Sequence, residues 1–444
     1  MTFLEELRLE LGPDKVAEDT GSRRRLSRDF FRYSQVLTER LEDRMADAIV
    51  FPAGEDDVVR VLSLAVRHGA PVTARGAGTG NYGQAVPLEG GVVLDMTRMP
   101  RILGTGDGWM RAQAGARLGV MEKEAAREGQ GLRIFPSTYL RSTVGGFVAG
   151  GSAGIGSVTH GQLWDGNVLG ARLVTADDVP RAVEVSGAEL EGVIHAYGTT
   201  GVLTELTMAL APQVPWTQAI AAFDTLDAAL TFSDALSRDD GVRKRLVCVC
   251  EAGIAPLLNA ASPLFEEPYR HVVLLWVALD AEDATRAAAR AAGGEVVRTL
   301  PYGKHPTLSD MSWNHTTLWA RKVDPTWTYL QAGFDADRVW DQSRAVKQRY
   351  GDEVLLHFEY MRAAGRLVPT SLPLLRYRSK ERIDEIIAFM QSIGIGIANP
   401  HTWVLEDGGR RRQDWARMYE AKRRYDPAGI LNPGKLRGPE REAV

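Results

Sequence analysis

Between residues 71 and 95 the chain reads PVTARGAGTGNYGQAVPLEGGVVLD, and this stretch restricts the fold more than any other. An apolar run ends at Arg75, then Gly76, Gly78, Thr79, Gly80 and Gly83 follow, and a strand pattern resumes at Gly91. Glycines at this density let main-chain N–H groups converge on an anion with no Cβ in the way. The loop therefore reads as a pyrophosphate cradle. Gly78, Gly80 and Gly83 satisfy G-x-G-x-x-G, but that spacing marks a dinucleotide-binding unit only when the loop opens a helix. Here Pro87 and the pair Gly90-Gly91 deny a helix room, and residues 91–95 read as another strand. The expected order is helix (56–68), strand (71–75), glycine loop, strand, which argues against a nicotinamide dehydrogenase.

A chain of 444 residues suggests two or three domains, and 44% hydrophobic with 25% charged residues is the composition of a soluble globular protein. No apolar run approaches the roughly 18 residues of a membrane span. The opening MTFLEELRLELGPDK is acidic where a signal peptide is basic, so a cytoplasmic protein is expected. A net charge of −4 gives no general attraction to nucleic acid or anionic lipid. The only cysteines, Cys248 and Cys250, alternate with valines on one face of a strand. They sit too close for a usual disulfide and are too few for a zinc site, so they read as small buried hydrophobes and no metal is expected.

Residues 1–44 read as an N-terminal extension, with the basic run Arg23-Arg24-Arg25 taken as a solvated face. From 45 to 214 glycine density is high and strands are short. From 215 to 405 helices (226–238, 281–292) alternate with strands (246–250, 271–279), the pattern of an α+β domain. The segment 406–444 carries an amphipathic helix with Trp415, Met418 and Tyr419 at i, i+3, i+4, then DPAGILNPGK. Residues 136–161, PSTYLRSTVGGFVAGGSAGIGSVTHG, form a second glycine constellation. Its helix-compatible piece, 143–149, would aim its first N–H groups at a phosphate or a flavin edge. A tight packing seam is the other reading. Two such segments joined by strands are best explained together by one large cofactor lying between them.

The run from Arg75 through Gly80, with Pro87 and Gly90 to Asp95, resembles the first FAD loop of the vanillyl-alcohol-oxidase (PCMH-type) flavoproteins. Pro136, Thr143-Val-Gly-Gly146, Gly161, Asp165 and Val168 resemble that fold's second FAD segment, and GTTGVLTE at 198–205 its final strand. Asp426 to Lys435 resembles the C-terminal signature of the glycolate oxidase and D-lactate dehydrogenase branch. The resemblance implies an α+β fold: a two-subdomain FAD-binding domain, an α+β substrate (cap) domain, and a C-terminal tail returning to the FAD domain. As FAD contacts it implies Arg75, Gly76, Ala77, Gly78, Thr79, Gly80, Asn81 and Gln84 in the first loop. It implies Pro136, Ser137, Thr143, Gly145, Gly146, Gly151 and Gly154 in the second segment, and Val202, Asn432 and Lys435 beyond. No histidine lies between Arg75 and Gly91, where some relatives attach the flavin, so non-covalent FAD is expected. Gly429, Gly434 and Lys435 also fit G-x-x-x-x-G-K, but Pro433 removes a donor N–H and Leu436 replaces the metal-binding hydroxyl.

A flavin carries the redox step and leaves substrate orientation and proton handling to the protein. Abstracting a hydroxyl proton near neutral pH suits histidine. Three clusters are candidates: Asn314 and His315 with Lys322; His357 and Glu359 with Tyr360 and Arg362; and His401. On a strand His357 and Glu359 share a face, which would orient the imidazole. Arg362, Arg378 and Lys322 are candidates for a substrate carboxylate, with solvated surface charge as the plainer reading. The His-x-x-Gly-Asp-Gly-Asn metal motif of many D-2-hydroxyacid relatives is missing, and a metal site from His357 and Glu359 with His315 or His401 is the minority reading. The expected activity is FAD-dependent oxidation of a small hydroxylated substrate, a 2-hydroxy acid or related alcohol, by hydride transfer to flavin N5. His315 or His357 would be the base, and oxygen, a quinone or a carrier protein the electron acceptor. An FAD-carrying electron-transfer subunit of a larger complex and an oxidase of sugars or aromatic alcohols are the alternatives. A homodimer is one possible assembly.

Overall fold

The computed structural model describes residues 1–265, 270–301, 307–408 and 415–438. The helix Glu55–His68 opens on Glu55, Asp56 and Asp57, whose charges favour a helix N-terminus, and stops at Gly69 in the left-handed conformation. Its buried stripe of Val58, Val61, Leu62 and Ala65 packs on a four-stranded sheet. In that sheet Ala48–Val50 and Val72–Arg75 both run parallel to Val92–Asp95, with Val16–Ala17 antiparallel at one edge. The glycine loop thus joins two adjacent parallel strands without a helix, as Pro87 and Gly90-Gly91 demand.

A second sheet is antiparallel, in the order Ile102–Gly106, Trp109–Gln113, Val202–Pro212, Val168–Val174, Ala182–Ser186, with Gln130–Leu132 on the end of the longest strand. Val174 and Val202 enter the core of the first sheet, so the two sheets share one apolar interior. A third, eight-stranded sheet is built from strands between Trp216 and Ala398. Alternation sorts its side chains between two cores. Val247, Val249, Val273 and Leu275 face the helices Leu226–Arg238, Val339–Tyr350 and Lys380–Ser392. Leu246, Cys248, Cys250, Leu274 and Trp276 join Met110, Phe135 and Phe147 of the glycine-rich half. Arg245 ties the halves together: it bonds Glu122 at 2.9 Å and lies 4.4 Å over the Phe135 ring.

After the helix Trp415–Tyr425 the chain returns to the first sheet. Val72 donates to Ile430 and Asn432 donates to Val72, at 2.9 and 2.8 Å. Buried Asp426 shapes this return by accepting from the N–H groups of Ile430 (3.0 Å) and Leu431 (2.9 Å) and from Lys422 (2.5 Å). Among the described residues no helix is long and apolar enough to cross a membrane. Asp426→Ala strands these donors in a buried turn, so unfolding free energy should fall by about 1–3 kcal/mol, read from denaturant midpoints at unchanged slope.

Candidate cofactor and substrate site

The two glycine segments meet. A Cβ on Gly76 would stand 2.1 Å from Thr143 Oγ1 and 3.3 Å from Gly146 Cα, so only glycine permits this approach. The loop also winds around its own arginine: a Cβ on Gly78 would fall 2.1 Å from the Arg75 guanidinium. That group bonds Asp95 (3.2 Å) and the carbonyls of Gly76 (2.9 Å) and Ala77 (3.3 Å), placing a buried positive charge directly beneath the loop. Among the described residues, the N–H groups of Ala77, Gly78, Thr79, Gly80 and Asn81 have no hydrogen-bond partner in the protein. Part-buried donors left open in this way, around a buried cation, suit an external anionic acceptor.

The cavity they border runs between the two glycine segments and on to Trp313, Asn314, Gln331 and Leu372 of the third-sheet half. Arg75 through Asn81, Gln84, Pro136, Ser137, Thr143, Gly145, Gly146 and Gly151 all line it. Gly154, Val202, Asn432 and Lys435 do not line it. Gly154 packs against the Phe135 carbonyl, where a Cβ would come within 2.2 Å, and Val202 is in the apolar core. Asn432 donates to the carbonyls of Gln84 (2.8 Å) and Tyr197 (2.7 Å), and Lys435 donates to Gly83 (2.5 Å). These two brace the cradle from behind.

The helix Val144–Gly150 does not offer its leading N–H groups to a ligand. Val144 and Gly145 donate to the carbonyls of Ala116 and Ala114, at 2.8 and 2.9 Å, and Gly146 to Thr143 Oγ1 at 3.2 Å. The turn that follows strand Trp109–Gln113 has taken the place expected for a phosphate. The packing-seam reading is therefore right for part of this segment, since a Cβ on Gly145 would meet Ala114 Cβ at 2.7 Å.

Of the residues proposed for chemistry, only Asn314 reaches the cavity. His315 hydrogen-bonds the Ser309 carbonyl at 3.3 Å, and burial lowers its pKa. His357 bonds Glu359 at 3.0 Å, and both are fully buried behind Trp313. The Tyr360 hydroxyl donates to Leu230 in the opposite core, and Arg362 pairs with exposed Asp240 at 2.8 Å. Lys322 lies 4.0 Å over the Trp319 ring, and Arg378 pairs with Glu353 at 3.3 Å. His401 bonds Ser34 at 2.7 Å and is driven down to about 4 by burial.

Other residues hold the cavity's polar wall. His195 and Tyr197 line it with φ of 56° and 52°, left-handed conformations that side chains rarely adopt and that concentrate at functional sites. His195 Nδ1 lies 2.8 Å from the Gly151 carbonyl. Tyr82 and Gln331, bonded to each other, bridge the two halves across the opening. From the N-terminal segment comes Asp29, whose carboxylate accepts from Phe31 (2.9 Å) and Ala85 (3.4 Å). Burial pushes Asp29 up to about 6 and Lys435 down to about 7, each opposed by the other's charge. The HAYGTTG sequence that carries His195 and Tyr197 sits just upstream of a recognised strand motif, which is the one signal that pointed to them.

The cradle, the second segment and the returning tail define a flavin-binding fold. Residues 46–179 match the family model described as an FAD binding domain. The glycolate oxidase subunit GlcD of Bacillus subtilis is 31% identical over 44% of this chain, and that match spans 43% of its own length. The D-lactate dehydrogenase of Archaeoglobus fulgidus is 24% identical over 87% of this chain and 90% of its own. A solved alkyldihydroxyacetonephosphate synthase superposes on 98% of the chain, and 84% of its own, with a TM-score of 0.74 at 18% identity, a likeness of fold. Residues 46–179 therefore form an FAD binding domain, and the cofactor is FAD.

Two outcomes follow from this geometry. Gly76→Ala drives a methyl group into Thr143, so the purified variant should carry little flavin, read from its visible absorption. Asp29, raised from 3.8 to about 6, contributes stability that is fully present below about pH 3.8 and is lost as pH rises through about 6. Asp29→Asn, which does not ionise, should remove that part of the slope in stability measured against pH.

Proposed function

We propose that the protein oxidises the CH–OH group of a small hydroxylated substrate, with hydroxy acids as the leading class. The observation that carries this reading is a single cavity holding both the FAD cradle and a polar wall of His195, Tyr197, Tyr82, Asn314 and Gln331. FAD, held without a covalent bond, supplies the acceptor for the hydride equivalent leaving the substrate carbon. His195 is the proposed base: Nδ1 donating to Gly151 fixes the tautomer in which Nε2 is the basic nitrogen. Asn314, Gln331 and Tyr82 orient the substrate's oxygens, and Trp313 with Leu372 excludes water from one side.

Among the described residues, Arg75 is the only arginine or lysine lining the cavity, and its guanidinium is engaged by Asp95 and the loop carbonyls. A substrate carboxylate would therefore be held by neutral donors, and discrimination between hydroxy acids and neutral alcohols should be modest. The chain's relatives include a glycolate oxidase subunit, a D-lactate dehydrogenase and a D-2-hydroxyglutarate dehydrogenase, which supports starting with 2-hydroxy acids. That the first is a subunit also supports a partner chain as electron acceptor, beside oxygen or a quinone.

The test is anaerobic bleaching of the flavin by glycolate, D-lactate, D-2-hydroxyglutarate, sugars and aromatic alcohols. His195→Ala should slow bleaching by the active substrate about 10²- to 10⁴-fold with FAD retained, while His315→Ala and His357→Ala change it far less. Equal rates for His195→Ala and the unsubstituted chain would remove His195 as base. A flavin that no substrate bleaches, yet a reduced protein donor does, would favour an electron-transfer subunit.

A further inference from the structure

A second cluster of reactive side chains stands apart from the cavity. Strands Lys244–Cys250 and His357–Ala363 lie side by side, antiparallel, with Cys248 opposite Glu359 and Cys250 opposite His357. Strand alternation sends all four side chains to one face, the one turned toward the glycine-rich half. Each is fully buried, at 0 or 1% exposure. Cys248 Sγ lies 3.8 Å from Cys250 Sγ and 3.3 Å from His357 Nε2, and Nε2 lies 3.0 Å from Glu359 Oε1. The two sulfurs and an imidazole nitrogen are all within 4.8 Å of one another.

We propose that Cys248, Cys250 and His357 bind one divalent metal ion of the zinc class, with Glu359 as the carboxylate beside the imidazole. Two thiolates bound tetrahedrally to zinc at ~2.3 Å are separated by ~3.8 Å, the spacing seen between these sulfurs. Convergence on one nitrogen is the second argument. His357 Nε2 has a single lone pair or a single proton, yet it faces Cys248, Glu359 and, at 3.5 Å, Thr316 Oγ1. One such atom does not satisfy three neighbours by hydrogen bonding, whereas a cation among the donors satisfies both sulfurs and the imidazole nitrogen together. Two sulfurs with an imidazole select zinc-class ions over magnesium or calcium. The site is closed to solvent, which is the character of a structural ion.

Binding is balanced by protons. Burial and the neighbouring Cys250 and Glu359 push the Cys248 thiol well up, so metal-free Cys248 holds its proton. The ion displaces the thiol protons, and two thiols become two metal-bound thiolates with two protons released. The position has a consequence for the cavity. Glu359 Oε1 also accepts from the N–H of Trp313 at 2.6 Å, and Trp313 adopts φ 51° to start the helix Asn314–Val323. An ion here would fix the carboxylate that sets Trp313 and Asn314 against the cavity.

The experiment uses the flavin-loaded full chain, reduced and stripped of metal, then titrated with Zn²⁺ or Co²⁺. Elemental analysis should find about one retained ion per chain. Cobalt should add tetrahedral d–d bands to the red of the flavin absorption, together with thiolate charge-transfer bands. Cys248→Ser/Cys250→Ser should abolish these bands, and Glu359→Gln should weaken affinity about 10- to 100-fold, with the flavin spectrum unchanged. No retained ion, equal retention in the double variant, or a cobalt spectrum without thiolate bands would overturn the proposal. A further readout needs no substitution: in mild denaturant zinc should protect both thiols from alkylation, and equal labelling with and without zinc would count against the site.

Discussion

The structure depends on how closely two stretches of backbone approach each other at Gly76 and Gly146. No side chain fits between them, because Thr143 Oγ1 already occupies the space a Cβ would take. That contact sets the loop after a strand of the parallel sheet against a helix packed on the antiparallel sheet, and both border one cavity. The first loop is held from inside by the Arg75 guanidinium, which bonds the carbonyls of Gly76 and Ala77, while among the described residues the N–H groups of Ala77 to Asn81 have no partner. Carbonyls engaged by a cation and amides left open make an anion cradle from main chain alone.

The third sheet completes the cavity without lending it a charged group. Its contribution is Trp313, Asn314, Gln331 and Leu372, an aromatic, two amides and an aliphatic. Its arginines are engaged elsewhere, Arg245 with Glu122 at the junction of the two halves and Arg362 with Asp240 at the surface. Positive charge is thus concentrated at the cradle end of the cavity and hydrogen-bonding groups at the other.

What could be read from the sequence was what local chemistry decides. Pro87 and Gly90-Gly91 excluded a helix after the first loop, and the helices Glu55–His68 and Leu226–Arg238 fall within a residue of their expected limits. What could not be read was set by contacts between distant segments. Asp29 belongs to a stretch read as an N-terminal extension, and packing beside Ala85 carries it into the cavity. His195 stands between Ile194 and Ala196, whereas His357, His315 and His401 sit among polar residues, yet these three are held by internal partners: Glu359, the Ser309 carbonyl and Ser34. The side chains that face the two cysteines, His357 and Glu359, lie on a strand more than a hundred residues away. The helix at Val144 lost its free N–H groups to Ala114 and Ala116, a pairing invisible without the second sheet.

The bracing of the cradle by Asn432 and Lys435 also sets an order of events during synthesis. Asn432 reaches back 348 residues to Gln84, and Lys435 reaches 352 residues to Gly83. While a ribosome is still translating the third sheet, the first loop has its arginine and its glycines but none of this support. A nascent chain can therefore acquire its strands early but acquires a finished flavin pocket only after residues 430–435 have emerged and docked on Val72. Loading with FAD is in this sense a post-translational event, and a ribosome stalled before that point would hold a chain that is largely folded and colourless.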